Sequence, residues 1–230
     1  MNDLGVNQQI PDTSSASFCA INKDYWLREF SIYRYGNLVY LRTLKCASSY
    51  YSKFFKSNGW TQDTANNIDW KNDHVFSFIM NPEERRLKGL TEFVSANWQH
   101  QLLDCDFIFW GGVLYLDMHS VPYSISYGKY VNKIDWIPID LTHQADIANN
   151  LLSVLLFNYN LQYEFPKFKE HESSEEKLKI YEIIKEKTKN GNFAMHLGLE
   201  DDVELYHNVC VKIKPWLIFN NNWKDISWLS

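Results

Sequence analysis

The chain has 230 residues, 45% of them hydrophobic, enough to bury one substantial core in a single globular unit. A net charge of −5 and a pI near 5.8 exclude general nucleic-acid binding, which needs a basic face, but leave room for a local basic pocket. Four cysteines (Cys19, Cys46, Cys105 and Cys210) lie far apart without a CxxC pair or a histidine at ligand spacing. They indicate neither a metal site nor a disulfide framework, and read as reduced thiols of a cytoplasmic protein.

Residues 1–17 are polar and include Pro11 and a Thr-Ser-Ser-Ala-Ser run, so a mobile polar leader is expected ahead of one domain over 18–230. It has no signal-peptide succession, and no apolar run in the chain is long enough to span a bilayer, so no membrane partner is expected. Asp24–Arg34 alternates aromatic and charged residues, as an edge strand or an entry segment would. Leu38–Leu41 is apolar or aromatic throughout, the pattern of a strand covered on both faces.

Lys45 follows, and then the small residues Cys46, Ala47, Ser48 and Ser49 lead into Tyr50, Tyr51, Phe54 and Phe55. This predicts a turn that opens a helix, with the serines as caps and Asn58-Gly59 as its end. Small residues let the backbone approach a bound group. Free N–H groups at a helix start carry the positive end of its dipole, and Lys45 adds a full charge, so the turn suits an anion. A polar connection through Asn67 leads to a second strand, Val75–Met80. Asn81-Pro82-Glu83-Glu84 then starts a helix to about Trp98, with Leu87, Leu90, Phe93 and Val94 facing the sheet. If these strands are parallel, both helix starts lie at one sheet edge, where ligands of open α/β sheets bind.

Residues 99–131 are rich in aromatics and read as a partly helical insertion. Ile134–Ile139 reads as a strand and Ala145–Tyr159 as a helix with one buried face. Ser173-Ser174-Glu175-Glu176 starts a charged amphipathic helix running to about Lys189, by a capping box, and a last helix covers Asp201–Val211. The part after residue 142 is expected to be helical.

No glycine lies between Thr43 and Ser49, so the turn lacks the Walker pattern of ATP and GTP hydrolases. The pairing of Leu44-Lys45-Cys46-Ala47-Ser48-Ser49 with Phe78-Ile79-Met80-Asn81-Pro82-Glu83-Glu84-Arg85-Arg86-Leu87-Lys88-Gly89 instead resembles the sulfotransferase superfamily, especially its carbohydrate-modifying branch. Weaker likenesses are Asp117–Pro122, Ile134–Ile139 and Leu199–Tyr206, so the resemblance covers roughly residues 38–211. It implies an α/β fold with a central parallel sheet flanked by helices, in a P-loop-like sulfotransferase architecture. It also implies the donor 3′-phosphoadenosine 5′-phosphosulfate, no metal, and a glycan or small-molecule hydroxyl as acceptor; it fixes no oligomeric state.

On that resemblance Lys45, Cys46, Ala47, Ser48, Ser49 and Tyr50 hold the 5′ end of the donor, and Asn81, Arg85 and Lys88 the 3′ end. Met80 stands where the family places an arginine, and Lys88 where it places a serine. Lysine binds phosphate as a point charge without arginine's bidentate fork. Lys45 is the catalytic cation, and His119, near Asp117, is the first choice for the base, followed by Glu92 and His100. His74 flanks a strand without chemistry. Trp98, Trp110, Tyr115, Tyr123 and Tyr127 would suit stacking on an acceptor. Two rivals stand beside this reading: a catalytically inactive binding or structural protein on the same fold, and a kinase-like phosphotransferase with Asp140 on a metal.

Overall fold

A computed structural model describes residues 30–97, 121–139, 145–167, 174–190 and 199–219. The expected leader, His119, Asp117, His100, Trp98, Trp110, Tyr115 and Asp140 lie outside these residues.

The described residues form an α/β structure around one five-stranded sheet in the order β3-β1-β2-β4-β5. Its strands are β1 (Ser31–Tyr35), β2 (Leu38–Leu41), β3 (Thr61–Thr64), β4 (His74–Ile79) and β5 (Asp135–Pro138). Strands β2, β4 and β5 run parallel, whereas β1 pairs antiparallel with both β2 and β3. The sheet is therefore mixed, which corrects the expectation of a parallel one. The cause is a two-residue connection, Gly36-Asn37, with Tyr35 opposite Leu38 and Gly36 at φ 58. A connection this short can only join antiparallel neighbours. It also makes β1 an interior strand, not an edge or an entry segment. The edge on this side is β3, in the stretch expected to be a plain connection; it is short and largely exposed, with the polar sequence TQDT, as solvent-facing edges tend to be.

All four residues of β2 are buried, as its unbroken apolar run requires. Tyr40 is fully buried and its ring meets those of Phe55, Phe76 and Phe78. Helix α1 (Ser48–Ser57) follows β2 and buries Tyr51, Phe54 and Phe55, with Tyr51 stacked on Phe78. It ends at Asn58, and Gly59 then takes φ 80, which costs a glycine nothing.

Helix α2 (Pro82–Asn97) follows β4. Asn81 caps it as expected: Asn81 Oδ1 accepts from the amides of Glu83 (3.0 Å) and Glu84 (3.2 Å). Leu90 is buried on this helix and Leu87 half-buried. The remaining helices are α3 (Tyr123–Tyr127), α4 (Ala145–Phe157), α5 (Glu175–Asn190) and α6 (Leu199–Phe219). Helix α6 runs well past the expected Val211 and carries Pro215 within it. Helix α5 packs across α2, burying Ile180 and Ile184. Its cap is Ser174, whose Oγ accepts from Lys177 N–H; the third helical position therefore holds Lys177, not the glutamate of a capping box. Among the described residues no helix is long and apolar enough to cross a membrane.

Candidate anion-binding site

Strands β2 and β4 are parallel, so the turn after β2 and the start of α2 after β4 do share one sheet edge. The turn takes a backbone shape that its side chains alone do not favour. Lys45 has φ 68 and Ala47 φ 53, neither is glycine, and Cys46 between them is not among the positive-φ residues. With Ser48 already helical, the sign of φ alternates over four successive residues. Such alternation turns neighbouring N–H groups toward one concavity, a nest for an anion; the Cys46 N–H is already given to Thr43 O at 3.4 Å. Each left-handed non-glycine residue costs about 1–3 kcal/mol and persists only where its surroundings impose it.

Those surroundings lie beneath the turn. Ser77 Oγ donates to Leu41 O (2.6 Å), Thr43 Oγ1 lies 2.6 Å from Ser77 Oγ, and Tyr127 Oη lies 2.5 Å from Thr43 Oγ1. Each hydroxyl has one proton, so the direction is fixed: Tyr127 donates to Thr43, Thr43 to Ser77, and Ser77 to the carbonyl. Tyr123 Oη donates to Met80 O (3.2 Å) and accepts from Met80 N–H (3.1 Å). Its proton being used, the contact of Cys46 Sγ at 3.3 Å is a thiol donating to the phenol. Burial pushes the Cys46 thiol up, which keeps it in that donating form.

Arg85 is 2% exposed. Its Nε donates to Leu44 O (3.2 Å), its Nη1 to Val121 O (2.6 Å), and its guanidinium lies 4.4 Å from the centre of the Tyr123 ring. Asp202 of α6 completes the support by accepting from the amides of Tyr123 (2.6 Å) and Ser124 (2.8 Å). Burial pushes its carboxyl up to about 6, against the pull of those amides and of Arg85.

The open side of the turn is different. Lys45 Nζ lies 3.0 Å from Glu92 Oε2 on α2, and the same oxygen meets Lys177 Nζ from α5. These side chains are between 21% and 34% exposed. Burial raises the Glu92 carboxyl, but the hydrogen bonds and charges of Lys177 and Lys45 outweigh it and hold it at about 2. Lys88 pairs with Glu84 at 3.3 Å, and Glu84 also accepts from Tyr181 Oη of α5 at 2.9 Å.

Several sequence-based assignments change. The cap of α1 is Ala47, without a side-chain hydrogen bond; Ser48 and Ser49 are the first helical residues, not caps. Cys46 turns its side chain into the core. The Tyr50 amide donates to Ala47 O and its hydroxyl to Pro166 O, so the first-turn amides left for a ligand are those of Ala47, Ser48 and Ser49. Arg85 is a buried brace: Nε and Nη1 hold backbone carbonyls, and Nη2 has no hydrogen-bond partner. Tyr123 and Tyr127 are fully buried and do not stack on an acceptor. Asn81 is a helix cap. His74 is at the other end of the sheet, where its ring nitrogens meet Tyr159 Oη and Asp135. Lys177 and Asp202 had no assigned role in the sequence reading. Lys177 carried a signal, a lysine in the first turn of a helix, where the dipole disfavours it; Asp202, one of three acids in the first turn of its helix, carried none.

Comparison with protein-family models, with curated proteins and with solved structures finds no match. Among the described residues no cluster of three or more histidine, cysteine, aspartate or glutamate side chains is arranged to hold a metal.

Proposed function

We propose that the chain is a sulfotransferase-like protein that binds 3′-phosphoadenosine 5′-phosphosulfate at the Lys45 turn and passes its sulfuryl group to a hydroxyl of a glycan or small molecule. The observation that carries this reading is the alternating backbone from Lys45 to Ser48, set at the start of α1 and at the carboxyl edge of the parallel strands. That shape is costly without an anion and useful with one.

The residues present fit the 5′ end of such a donor. Amides of Ala47, Ser48 and Ser49 would surround its phosphate, and the Ser49 side chain is open to solvent. The donor supplies a sulfuryl group that moves in line to the acceptor oxygen while negative charge grows on the phosphate left behind. Lys45 stabilises that charge, and the rigid support beneath the turn keeps the amides oriented throughout, so little reorganisation is needed. Glu92 at about 2 is too weakly basic to take the acceptor's proton while both lysines hold it.

The 3′ end does not fit the family's usual form. Met80 is buried, both its backbone polar groups are taken by Tyr123, and Arg85 is enclosed. Of the residues assigned to that end, Lys88 is the partly exposed cation. This favours, as a second reading, a protein that binds an anion or nucleotide at the turn without transfer.

Calorimetric titration with 3′,5′-adenosine bisphosphate, the donor's product, separates the two. Binding near micromolar strength, about −8 kcal/mol, lost in Lys45→Ala and weakened in Lys88→Ala, is the expected result, and sulfate transfer to a hydroxyl would then be sought with the intact donor. A folded protein that ignores the bisphosphate does not use this donor.

A further inference from the structure

Glu92 presents a single oxygen to two ammonium groups from different parts of the chain, Lys45 of the turn and Lys177 of α5. A carboxylate oxygen held this way has the charge and contacts that a phosphate or sulfate oxygen would have at the same point. Resting on the anion-site reading above, we propose that Lys177 is a second cation of the site and that Glu92 is an internal anion which a ligand's phosphate must displace.

Three observations support the assignment. Lys177 sits in the first turn of α5, its amide capped by Ser174, where the helix dipole disfavours a cation. Its ammonium nevertheless reaches across to Glu92, so the pairing is held against that preference. Next, the packing of α5 across α2 is already secured by buried Ile180 and Ile184 and by the Tyr181–Glu84 bond; holding the helices together does not require the Glu92 bridge. Finally, all three side chains are partly exposed, so a ligand from solvent can reach them, unlike buried Arg85.

The consequence is an exchange. In the free protein the single charge of Glu92 is shared between both lysines. On binding, both turn to the ligand's oxygens, and Glu92 is left beside an incoming negative charge that repels it. Removing the Glu92 charge therefore strengthens anion binding even though it deletes two ion pairs from the free protein. Removing Lys177 weakens binding without touching the turn.

The test titrates wild type, Glu92→Gln, Lys177→Gln, Lys177→Arg and Lys45→Ala with inorganic pyrophosphate and with 3′,5′-adenosine bisphosphate at fixed ionic strength, after thermal unfolding shows each variant folded. For partly exposed pairs, Glu92→Gln is expected to bind about three- to tenfold tighter and Lys177→Gln about three- to tenfold weaker, with Lys177→Arg close to wild type. Unchanged or weaker binding in Glu92→Gln overturns the displacement. Unchanged binding in Lys177→Gln overturns the second cation, and this partly exposed position carries the test alone should Glu92→Gln not fold. Bisphosphate binding that depends on Lys45 but ignores Glu92 and Lys177 removes this inference and leaves the proposed function. Pyrophosphate binding in the expected order with no bisphosphate binding does the reverse, and silence from both ligands removes both.

Discussion

The two sides of the Lys45 turn are built from the same kinds of groups in opposite ways. Beneath it, Thr43, Cys46, Arg85, Tyr123 and Asp202 are at most 2% exposed, and apart from Arg85 Nη2, which has no hydrogen-bond partner, their polar side-chain groups meet named partners. Above it, Lys45, Glu92 and Lys177 share one oxygen in partial contact with water. Buried polar groups are costly to leave unpaired, so the lower network holds one geometry. Partly exposed ion pairs contribute little each and exchange easily. A strained backbone needs the first property and a site that accepts and releases an anion needs the second, and the turn separates them by only a few residues.

The largest expected effect sets the two sides directly against each other. Arg85→Ala removes hydrogen bonds to Leu44 O and Val121 O, the stacking on Tyr123, and a positive charge that helps hold buried Asp202. A loss of about 3–5 kcal/mol in urea unfolding is expected. Lys45→Ala, one residue along from Leu44, should cost no more than about 1 kcal/mol while removing anion binding. Similar losses in the two variants would mean that the sides are not distinct in kind.

A smaller effect tests the direction of the hydroxyl chain. Thr43→Val is nearly isosteric but leaves the Tyr127 hydroxyl without an acceptor and Ser77 without a donor, at a cost of roughly 1–3 kcal/mol. Tyr127→Phe in that background removes the stranded hydroxyl, so the double variant should be no less stable than Thr43→Val alone. Additive losses in the double-mutant cycle would break the chain as drawn.

Much of this arrangement was legible from local chemistry. The apolar run of β2, the Asn-Pro-Glu-Glu start of α2 and the turn that opens α1 were all readable because caps, turns and unbroken apolar stretches act within a few residues. The hairpin at Gly36-Asn37 was also local, a Gly-Asn pair between aromatic runs, and reading it would have given the mixed sheet. The roles of Arg85, Tyr123 and Asp202 were not legible in this way. Arg85 sits at a motif position where a family likeness assigns phosphate binding, and only its burial under Leu44 shows a brace. Asp202 meets Tyr123 across 79 positions, and no spacing rule connects residues so far apart. The pairing of Lys177 with Glu92 likewise depends on how α5 crosses α2, which the amphipathic pattern of each helix does not specify.

The smallest effect, and the one that distinguishes the sides by sign, is pH. Glu92 is held at about 2 against an ordinary value of 4.5. Between those limits the unfolded chain binds the proton better, so its contribution is fully present above about pH 4.5 and lost as pH falls toward 2. Asp202 is pushed up to about 6 from an ordinary 3.8. Between those limits the folded protein binds the proton better, so lowering the pH from 6 toward 4 adds stability. Urea unfolding of wild type against Glu92→Gln and Asp202→Asn isolates each term. The advantage of wild type over Glu92→Gln should shrink between pH 4.5 and 2, and by less than about 1 kcal/mol, because solvent screens a partly exposed group. Wild type should gain on Asp202→Asn between pH 6 and 4. Were wild type to lose there instead, the two amides and Arg85 would outweigh burial, and Asp202 would be an ionised anchor sharing the sign of Glu92. Sign would then no longer divide the two sides of the turn, leaving only exposure and exchange to distinguish them.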